Sequence, residues 1–222
     1  MINKLKKIVS WASLKYIKPN TIVGVGSGST ISYFIDALSS IKTQIKGAVS
    51  SSKETSNKMK KLGINVIELN NVEFLDVYID SADEINYKMQ MIKGKGGALT
   101  QEKIIASAAQ NFICIADYTK LVNTLGNRNI PLPIEVIPMA QKIVMKKIKF
   151  IIGGLPIYRK GIITDNGNII IDIYNLTITN ANFIEEKINN ISGVVTVGIF
   201  AHRKADVAII AHKDGNIKIM YN

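Results

Sequence analysis

Cysteine, arginine and extended apolar stretches are all scarce in this chain of 222 residues. A single cysteine, Cys114, excludes a disulfide framework and any zinc site that needs several cysteines. No apolar stretch approaches the roughly 18 residues that span a membrane, and residues 1–7 lack the apolar core of a signal peptide. We therefore expect a cytoplasmic protein with no membrane partner.

The scarcity of arginine also bears on the net charge, which is +11. Such a charge favours a nucleic acid or an anionic small molecule as partner. Only 3 of the 28 basic residues are arginine, the residue best suited to bidentate contacts with phosphates and base edges. The many lysines accompany 40 isoleucines and 20 asparagines, which share A/T-rich codons. We therefore predict no nucleic-acid partner and keep an anionic small substrate open.

Strands and helices alternate along the first 126 residues, which is typical of βαβ units. The fold class predicted from this pattern is α/β, a Rossmann-like and mainly parallel sheet with helices on both faces. Its strands are expected at residues 21–25, 45–49, 65–69, 75–79 and 111–116.

The pattern changes after residue 126, where prolines and hairpin signals appear. Helices are expected at 140–148 and 181–189, and strands at 134–137, 150–159, 162–164 and 169–173. We predict a Rossmann-like catalytic domain from residues 1–126 and 201–222. Residues 127–200 are predicted to form a small α+β, ferredoxin-like domain that acts as a lid or in oligomerisation.

The first segment suited to binding or catalysis is GVGSGST at residues 24–30, between a strand and a helix. Glycines allow close approach of the backbone to a ligand, and a helix start offers free N–H groups to a phosphate. The lysine of a P-loop is missing. A tight turn in which Ser29 or Thr30 caps the helix is the alternative interpretation.

The second segment is acidic and leaves the carboxyl end of an apolar strand, where open α/β sheets bind ligands. Asp80 and Asp83, with Glu84 beside them, are suited to handling protons on sugar hydroxyls or to binding Mg²⁺. A solvated acidic turn is the alternative.

Two further segments carry lysines. In residues 93–103 a glycine-rich turn begins at Lys93, a cation that such a turn can bring close to a developing oxyanion. Glu102 follows in the first turn of a helix, where the helix dipole stabilises a carboxylate. That dipole interaction alone would also account for Glu102. Lys120, in the segment ADYTK after a strand, is either a phosphate ligand or an ordinary surface lysine.

In order and spacing, these four segments resemble the motifs of the type A ribose-5-phosphate isomerase family. The family motifs are GxGSGST or GxGTGST, DGADE, KGGGG-A-L-x-x-E-K and AD-x-S-K. The resemblance spans nearly the whole chain. It implies an aldose–ketose isomerase of the non-oxidative pentose phosphate pathway that interconverts ribose 5-phosphate and ribulose 5-phosphate through a cis-enediolate. It also implies that the enzyme needs neither metal nor organic cofactor. We expect a homodimer, and the sequence leaves a tetramer open.

The resemblance assigns roles to residues of this chain. Glu102 is the implied base, Lys93 stabilises negative charge on the substrate oxygens, and Asp80 and Asp83 hold hydroxyls and assist ring opening. The implied substrate-binding residues are Ser27, Gly28, Ser29, Thr30, Asp80, Ser81, Ala82, Asp83, Lys93, Gly94, Lys95, Gly96 and Lys120.

Two positions depart from the family motifs. Ser81 replaces the glycine of DGADE, which would strain the backbone if φ were positive there. Lys95 replaces a glycine of KGGGG, so its ammonium either strengthens substrate contacts or points outward. An amino-sugar phosphate deaminase of the same superfamily and the sugar-phosphate sensor of a transcription regulator are the rival functions.

Overall fold

The computed structural model describes residues 1–126 and 130–222. These residues divide into two compact units. The first comprises Met1–Ala82, Gln101–Leu121 and Ala205–Asn222, and the second comprises Asp83–Thr100 and Val122–Lys204. The second unit therefore also takes in 83–100, 122–126 and 201–204, which the sequence assigned to the first domain. The predicted boundary falls at residue 127, outside the described residues, and the role of residues 127–200 stays a prediction.

The described residues form six α-helices, most of them with a clear apolar face. Their bounds are α1 (Ile2–Ala12), α2 (Ser29–Ser39), α3 (Lys53–Lys61), α4 (Leu99–Ala108), α5 (Gln141–Ile152) and α6 (Ala181–Asn189). Each of these helices is too short to cross a lipid bilayer, and no other described segment forms a longer apolar helix.

The strands of the described residues vary in length from two to nine residues. Their bounds are β1 (Ile22–Val25), β2 (Gly47–Ser50), β3 (Leu75–Asp80), β4 (Glu84–Asn86), β5 (Met91–Ile92), β6 (Ala109–Asp117), β7 (Leu121–Val122), β8 (Leu132–Val136), β9 (Leu155–Tyr158), β10 (Ile169–Tyr174), β11 (Val194–Val197), β12 (Ile199–Phe200), β13 (Val207–Ala211) and β14 (Ile217–Tyr221).

The first unit is built on a sheet with the strand order β14-β13-β6-β3-β1-β2 in the described chain. Every neighbouring pair is parallel except β13 and β14, which form an antiparallel pair. This confirms the predicted α/β class with a mainly parallel sheet. The apolar side chains of β1 and β3 alternate between the two faces because successive residues of a strand point in opposite directions.

Helices pack against both faces of this sheet. On one face, Val23 and Val77 join a core with Leu5 of α1 and Phe34 of α2. On the other face lies Gly24, where an added Cβ would come within 2.9 Å of Ile105 of α4. Glycine at this position therefore lets α4 pack closely on the sheet.

The parallel pairing of β1 with β3 decides where the polar loops begin. Val25 is in register with Ile79, so both strands reach the same edge of the sheet together. The loop at residues 26–28 leaves β1 at this edge, and Ser81 follows β3 there. Two of the segments identified in the sequence are thereby brought together.

The second unit contains an antiparallel sheet of order β11-β8-β10-β9 in the described residues. Its core is made by β8 and β10 with α5 and α6, and Ile134, Ile171 and Val144 are fully buried. A further set of very short strands has the order β12-β5-β4-β7.

Two predicted strands are wrong, at 65–69 and 162–164, and a third, at 150–159, is only partly right. Residues 65–69 form only a single bridge, between Ala48 and Val66, before a 3₁₀ turn redirects the chain. Residues 150–159 are split, because α5 continues to Ile152 and ends at Gly153, whose φ is +72°, before β9 begins. Residues 162–164 are not a strand, because Thr164 enters a turn in which its N–H bonds the carbonyl of Asn168.

Candidate active site

The glycine loop between β1 and α2 is held against the end of β3. The N–H of Gly26 donates to the carbonyl of Ile79 at 2.9 Å, and an added Cβ at Gly26 would overlap the carboxylate of Asp80. Gly28 has φ +91° and precedes the first residue of α2. Glycine is required here because side chains rarely adopt positive φ. No side chain caps this helix, so Ser29 and Thr30 are not its N-caps.

Asp80 is fully buried at the end of β3. Its Oδ1 accepts hydrogen bonds from the N–H of Ser27 at 3.2 Å and the N–H of Ser81 at 2.7 Å. Its Oδ2 accepts a short hydrogen bond from the hydroxyl of Tyr78. Both carboxylate oxygens thus fix the loops around them, and this satisfies a buried charge that would otherwise be costly.

Tyr78 is a part of this network that the sequence reasoning missed. Its ring is fully buried and lies 5.0 Å from the ring of Phe112. Burial, followed by the negative charges of Asp80 and Glu102, holds the pKa of the Tyr78 hydroxyl well above its usual value of 10. The hydroxyl therefore remains a hydrogen-bond donor throughout the neutral range.

Glu102 is only 3% exposed and lies in the first turn of α4. The hydroxyl of Ser27 donates a hydrogen bond of 2.6 Å to its Oε1. Glu102 and Asp80 are thereby connected through one residue, because the Ser27 side chain binds the first and its N–H binds the second. Two predicted site segments that are 75 residues apart share this contact.

The remaining predicted residues of the first unit differ in burial and in the contacts that they make. The hydroxyl of Ser81 donates to the carbonyl of Ser27 at 3.3 Å. Thr30 and Ala82 are largely buried, whereas Lys120 is half-buried in a 3₁₀ turn after β6. Ser81 is not among the residues with positive φ, so the departure from the family glycine causes no backbone strain.

A lysine that the sequence reasoning missed lies at the start of α2. Lys6 of α1 donates from Nζ to the hydroxyl of Ser29 at 2.8 Å. A cation beside free helix N–H groups is suited to binding phosphate. The signal available in the sequence was weak, because Lys6 is one of several lysines on an amphipathic helix.

The second unit holds the other predicted residues. Asp83 accepts a hydrogen bond from the N–H of Lys95 at 2.9 Å through its Oδ2. Lys93 is 3% exposed, its N–H donates to the carbonyl of Gly198, and its Nζ lies 5.6 Å from the ring centroid of Phe200. This contact is a favourable cation–π geometry.

The turn after Lys93 depends on its glycines. Gly94 has φ +107°, and an added Cβ would lie 3.1 Å from Leu99 and 3.2 Å from Pro133. The N–H of Gly97 closes the turn by donating to the carbonyl of Gly94 at 3.0 Å. Lys95 and Gly96 are exposed at the tip, and Lys95 does not have positive φ. The backbone therefore tolerates a lysine at this position, with its side chain outward.

The acidic segment also left open the binding of Mg²⁺. Within residues 1–126 and 130–222, no three His, Cys, Asp or Glu side chains lie close enough together to hold a metal ion.

Known proteins resemble this chain over nearly its full length. The family model of ribose 5-phosphate isomerase A (phosphoriboisomerase A) matches residues 47–215. A ribose-5-phosphate isomerase A from Blochmanniella floridana is 62% identical over 218 residues, which cover 98% of this chain and 97% of that protein. The crystal structure of ribose 5-phosphate isomerase A from Neisseria gonorrhoeae is 43% identical, with a TM-score of 0.95 and coverage of 100% of this chain and 97% of that one.

A second solved structure adds a ligand to the comparison. It is a D-ribose-5-phosphate isomerase in complex with phospho-erythronic acid, and it is 35% identical to this chain. Its TM-score is 0.95, and the match covers 100% of both chains.

Proposed function

This chain belongs to the ribose 5-phosphate isomerase A family and interconverts D-ribose 5-phosphate and D-ribulose 5-phosphate, and we propose here how its residues divide that reaction. The observation that carries the proposal is the hydrogen bond from the Ser27 hydroxyl to Glu102. It holds a buried carboxylate in one orientation beside a loop suited to a phosphorylated ligand.

Glu102 acts as the base. Isomerisation of the aldose removes the proton from carbon 2, forms a cis-enediolate and returns a proton to carbon 1, which yields the ketose. One carboxylate can serve both carbons because they are adjacent, and a glutamate performs the same chemistry in triosephosphate isomerase. Burial excludes water that would exchange the proton or compete for it.

Lys93 and Asp83 have the next two roles in the proposed reaction. Negative charge develops on the oxygens of carbons 1 and 2 in the enediolate, and a fixed ammonium stabilises it. Lys93 is 3% exposed and its Nζ lies 5.6 Å from the centroid of the Phe200 ring, so burial and this contact restrict where the ammonium can lie. Asp83 accepts hydrogen bonds from substrate hydroxyls, because its carboxylate has further acceptor positions besides the one bonded to the N–H of Lys95.

Asp80 contributes chiefly by shaping the loops. Both of its oxygens accept protein hydrogen bonds, and its side chain is buried. The ring-opening role that the resemblance implies requires Asp80 to exchange one of these bonds for a substrate hydroxyl. We assign it primarily the orientation of Ser27, and through Ser27 that of Glu102.

The phosphate binds at the start of α2. Gly28, Ser29 and Thr30 present N–H groups of a helix N-terminus, which attracts anions. Lys6, bonded to Ser29, adds a positive charge, and Lys120 is the family position for a further one.

The test compares the wild type with Glu102→Gln in a ribose 5-phosphate isomerisation assay that contains EDTA. Removal of the base is expected to lower kcat by at least about 100-fold, because general base catalysis contributes that much. The variant should still bind phospho-erythronic acid in a calorimetric titration. Near-normal turnover by Glu102→Gln would contradict the base assignment, and loss of wild-type activity in EDTA would contradict independence from metal.

Two broader expectations also remain proposals. We propose that the enzyme is a homodimer, supported by exposed apolar side chains such as Met139 and Phe150, which are 94% and 91% exposed in the isolated chain. Light scattering on the purified protein should give twice the mass of the chain, and a monomer or tetramer mass would contradict the homodimer. We also propose a cytoplasmic location, because a chain with a single cysteine cannot form a disulfide within itself and so shows none of the cysteine usage of secreted proteins.

A further inference from the structure

Arg159 lies directly behind the turn that follows Lys93. It comes just after β9, and its N–H donates to the carbonyl of Ile170 in the neighbouring strand. Its guanidinium forms a bidentate ion pair with Asp172 of β10, in which Nε lies 2.7 Å from Oδ2 and Nη2 lies 2.5 Å from Oδ1. Both side chains are largely buried. The ion pair therefore fixes the plane of the guanidinium.

The third nitrogen of the guanidinium, Nη1, donates hydrogen bonds to the turn itself. Nη1 donates to the carbonyl of Lys95 at 2.9 Å and to the carbonyl of Gly94 at 3.2 Å. On the other side of the peptide between these two residues, the N–H of Lys95 donates to Asp83. This peptide is thus held at both ends, by a cation and by an anion.

The contact with Arg159 also orients the next peptide of the turn, between Lys95 and Gly96. In a trans peptide the N–H points opposite to the C=O. Because the carbonyl of Lys95 is directed to Arg159, the N–H of Gly96 is directed away from Arg159, as the N–H of Lys95 is. The tip of the turn therefore presents its N–H groups on the side where Asp83 lies.

We propose that Arg159, fixed by Asp172, is a positioning residue for the isomerisation and acts through the turn at residues 94–97. The inference rests on the proposed function, in which Lys93 stabilises the enediolate, and on the family resemblance, which implies that Gly94, Lys95 and Gly96 contact the substrate. Without Arg159 the two carbonyls lose a charged donor and the turn can rotate its peptides. Misplacement of contacts by about 1 Å can cost on the order of 100-fold in rate.

A lysine cannot replace Arg159 in this role. Its single ammonium lacks the planar set of donors that reaches Asp172 and both carbonyls at once. The requirement is therefore for the shape of the guanidinium and not for positive charge alone.

A cavity of about 400 Å³ adjoins Arg159 and makes a chemical test possible. Its lining includes Lys95, Pro133, Asp172 and Tyr174. Truncation of Arg159 to alanine would enlarge this space by the volume of the lost side chain. Free guanidinium can then enter and occupy the position between Asp172 and the turn.

The experiment measures kcat and KM for ribose 5-phosphate in Arg159→Ala, Arg159→Lys and a matched control, Lys160→Met. Lys160 is the exposed neighbour of Arg159, so its replacement removes the same charge without touching the turn. We expect kcat/KM to fall by about 100-fold in Arg159→Ala and by at least about 10-fold in Arg159→Lys. Lys160→Met should stay within about twofold of the wild type.

Rescue separates positioning from a merely structural role. Guanidinium at about 20 mM, far below denaturing concentrations, should restore kcat/KM of Arg159→Ala at least about fivefold and in a saturable manner. It should leave the wild type and Lys160→Met unchanged. Activity of Arg159→Ala within about threefold of the wild type would overturn the inference, and so would guanidinium that raises its thermal stability without raising its turnover.

Lys93→Met, measured in parallel, distinguishes failure of the positioning role of Arg159 from failure of the proposed function. Loss of turnover in Lys93→Met together with an active Arg159→Ala would overturn the positioning role and leave the proposed function standing. An active Lys93→Met would overturn the assignment of the turn to the site, and with it the role of Arg159.

Discussion

The hydroxyl of Ser27 lies 2.6 Å from Oε1 of Glu102, and the N–H of the same residue donates to Oδ1 of Asp80. One residue thus orients the buried carboxylate of α4 and is itself held by the carboxylate that ends β3. The carboxylate that we propose as the base is positioned by residues at the end of the sheet as well as by its own helix. Four predictions test different parts of this network and of the second unit.

Replacement of Ser27 by alanine removes the donor to Glu102 and leaves the main-chain bond to Asp80 intact. We expect kcat to fall by about 10-fold, the factor that corresponds to one hydrogen bond to a charged group. Steady-state kinetics with ribose 5-phosphate would measure it. Ser27→Thr is the matched control, because it keeps the hydroxyl and the family motif allows threonine there. Equal kcat values for Ser27→Ala and Ser27→Thr would show that the bond is not used.

Replacement of Tyr78 by phenylalanine tests the donor to Asp80 through the pH dependence of stability. Because the folded-state pKa of Tyr78 is raised above 10, the folded state retains a proton that the unfolded state loses above that pH. Tyr78 therefore contributes stability that is complete below pH 10 and is lost as pH rises towards its folded pKa. The wild type should lose up to about 1.4 kcal/mol of unfolding free energy per pH unit from this residue.

Urea unfolding between about pH 9 and 11 would measure that slope. Tyr78→Phe should show a shallower decline than the wild type. Identical slopes for the wild type and Tyr78→Phe would contradict the expectation.

Replacement of Gly26 by alanine tests the close approach of the loop to β3. The added methyl group would overlap the carboxylate of Asp80, so either the loop or Asp80 must move. We expect a loss of about 1–3 kcal/mol in unfolding free energy, the usual cost of overpacking. Gly96→Ala is the stability control, because nothing lies within 4 Å of a Cβ there. Chemical unfolding that gave equal losses for both variants would contradict the prediction.

Replacement of Glu135 by glutamine tests a buried carboxylate in β8. Its Oε1 accepts from Thr164 at 2.8 Å, from Asn166 at 3.0 Å and from Asn168 at 2.8 Å, and its Oε2 accepts a short bond from Thr100. This carboxylate connects the turn at residues 164–168 to the second residue of α4.

The amide of Glu135→Gln would place a donor where an acceptor is needed, and we expect a loss of about 1.5–3 kcal/mol in unfolding free energy. Glu54→Gln, on the exposed face of α3, removes the same charge and should change stability by less than about 0.5 kcal/mol. Denaturant titration of both variants would settle the comparison, and a loss below about 0.5 kcal/mol in Glu135→Gln would refute it.

Local patterns in the sequence were sufficient to predict most of the first unit. The alternation of β1, α2, β2 and α3 depends on the apolar period and the glycines of each segment, and these are visible in a few residues. The strand predicted at residues 65–69 is absent because a β-like composition does not show whether a partner strand continues alongside. The strand predicted at residues 162–164 is absent because a hydrogen bond from Thr164 to Glu135, 29 positions away, stabilises a turn there.

The polar partners of the site were the least predictable part. The resemblance pointed to Glu102, Asp80 and Lys93, but no spacing in the sequence relates Tyr78 to Glu102 or Arg159 to Gly94. Arg159 and Gly94 are separated by 65 positions. Such pairs follow from strand order and register, which a single sequence does not reveal.

The order of strands in the first sheet has a consequence for synthesis of the chain. β6 lies between β3 and β13, yet β13 begins at Val207, after the whole second unit has been made. While residues 118–206 are being translated, β6 therefore has one unpaired parallel edge with apolar residues such as Ile113 and Ile115. Parallel edges that wait for a distant strand are exposed to aggregation. Completion of this sheet, and protection from such association, depends on residues 207–211 leaving the ribosome.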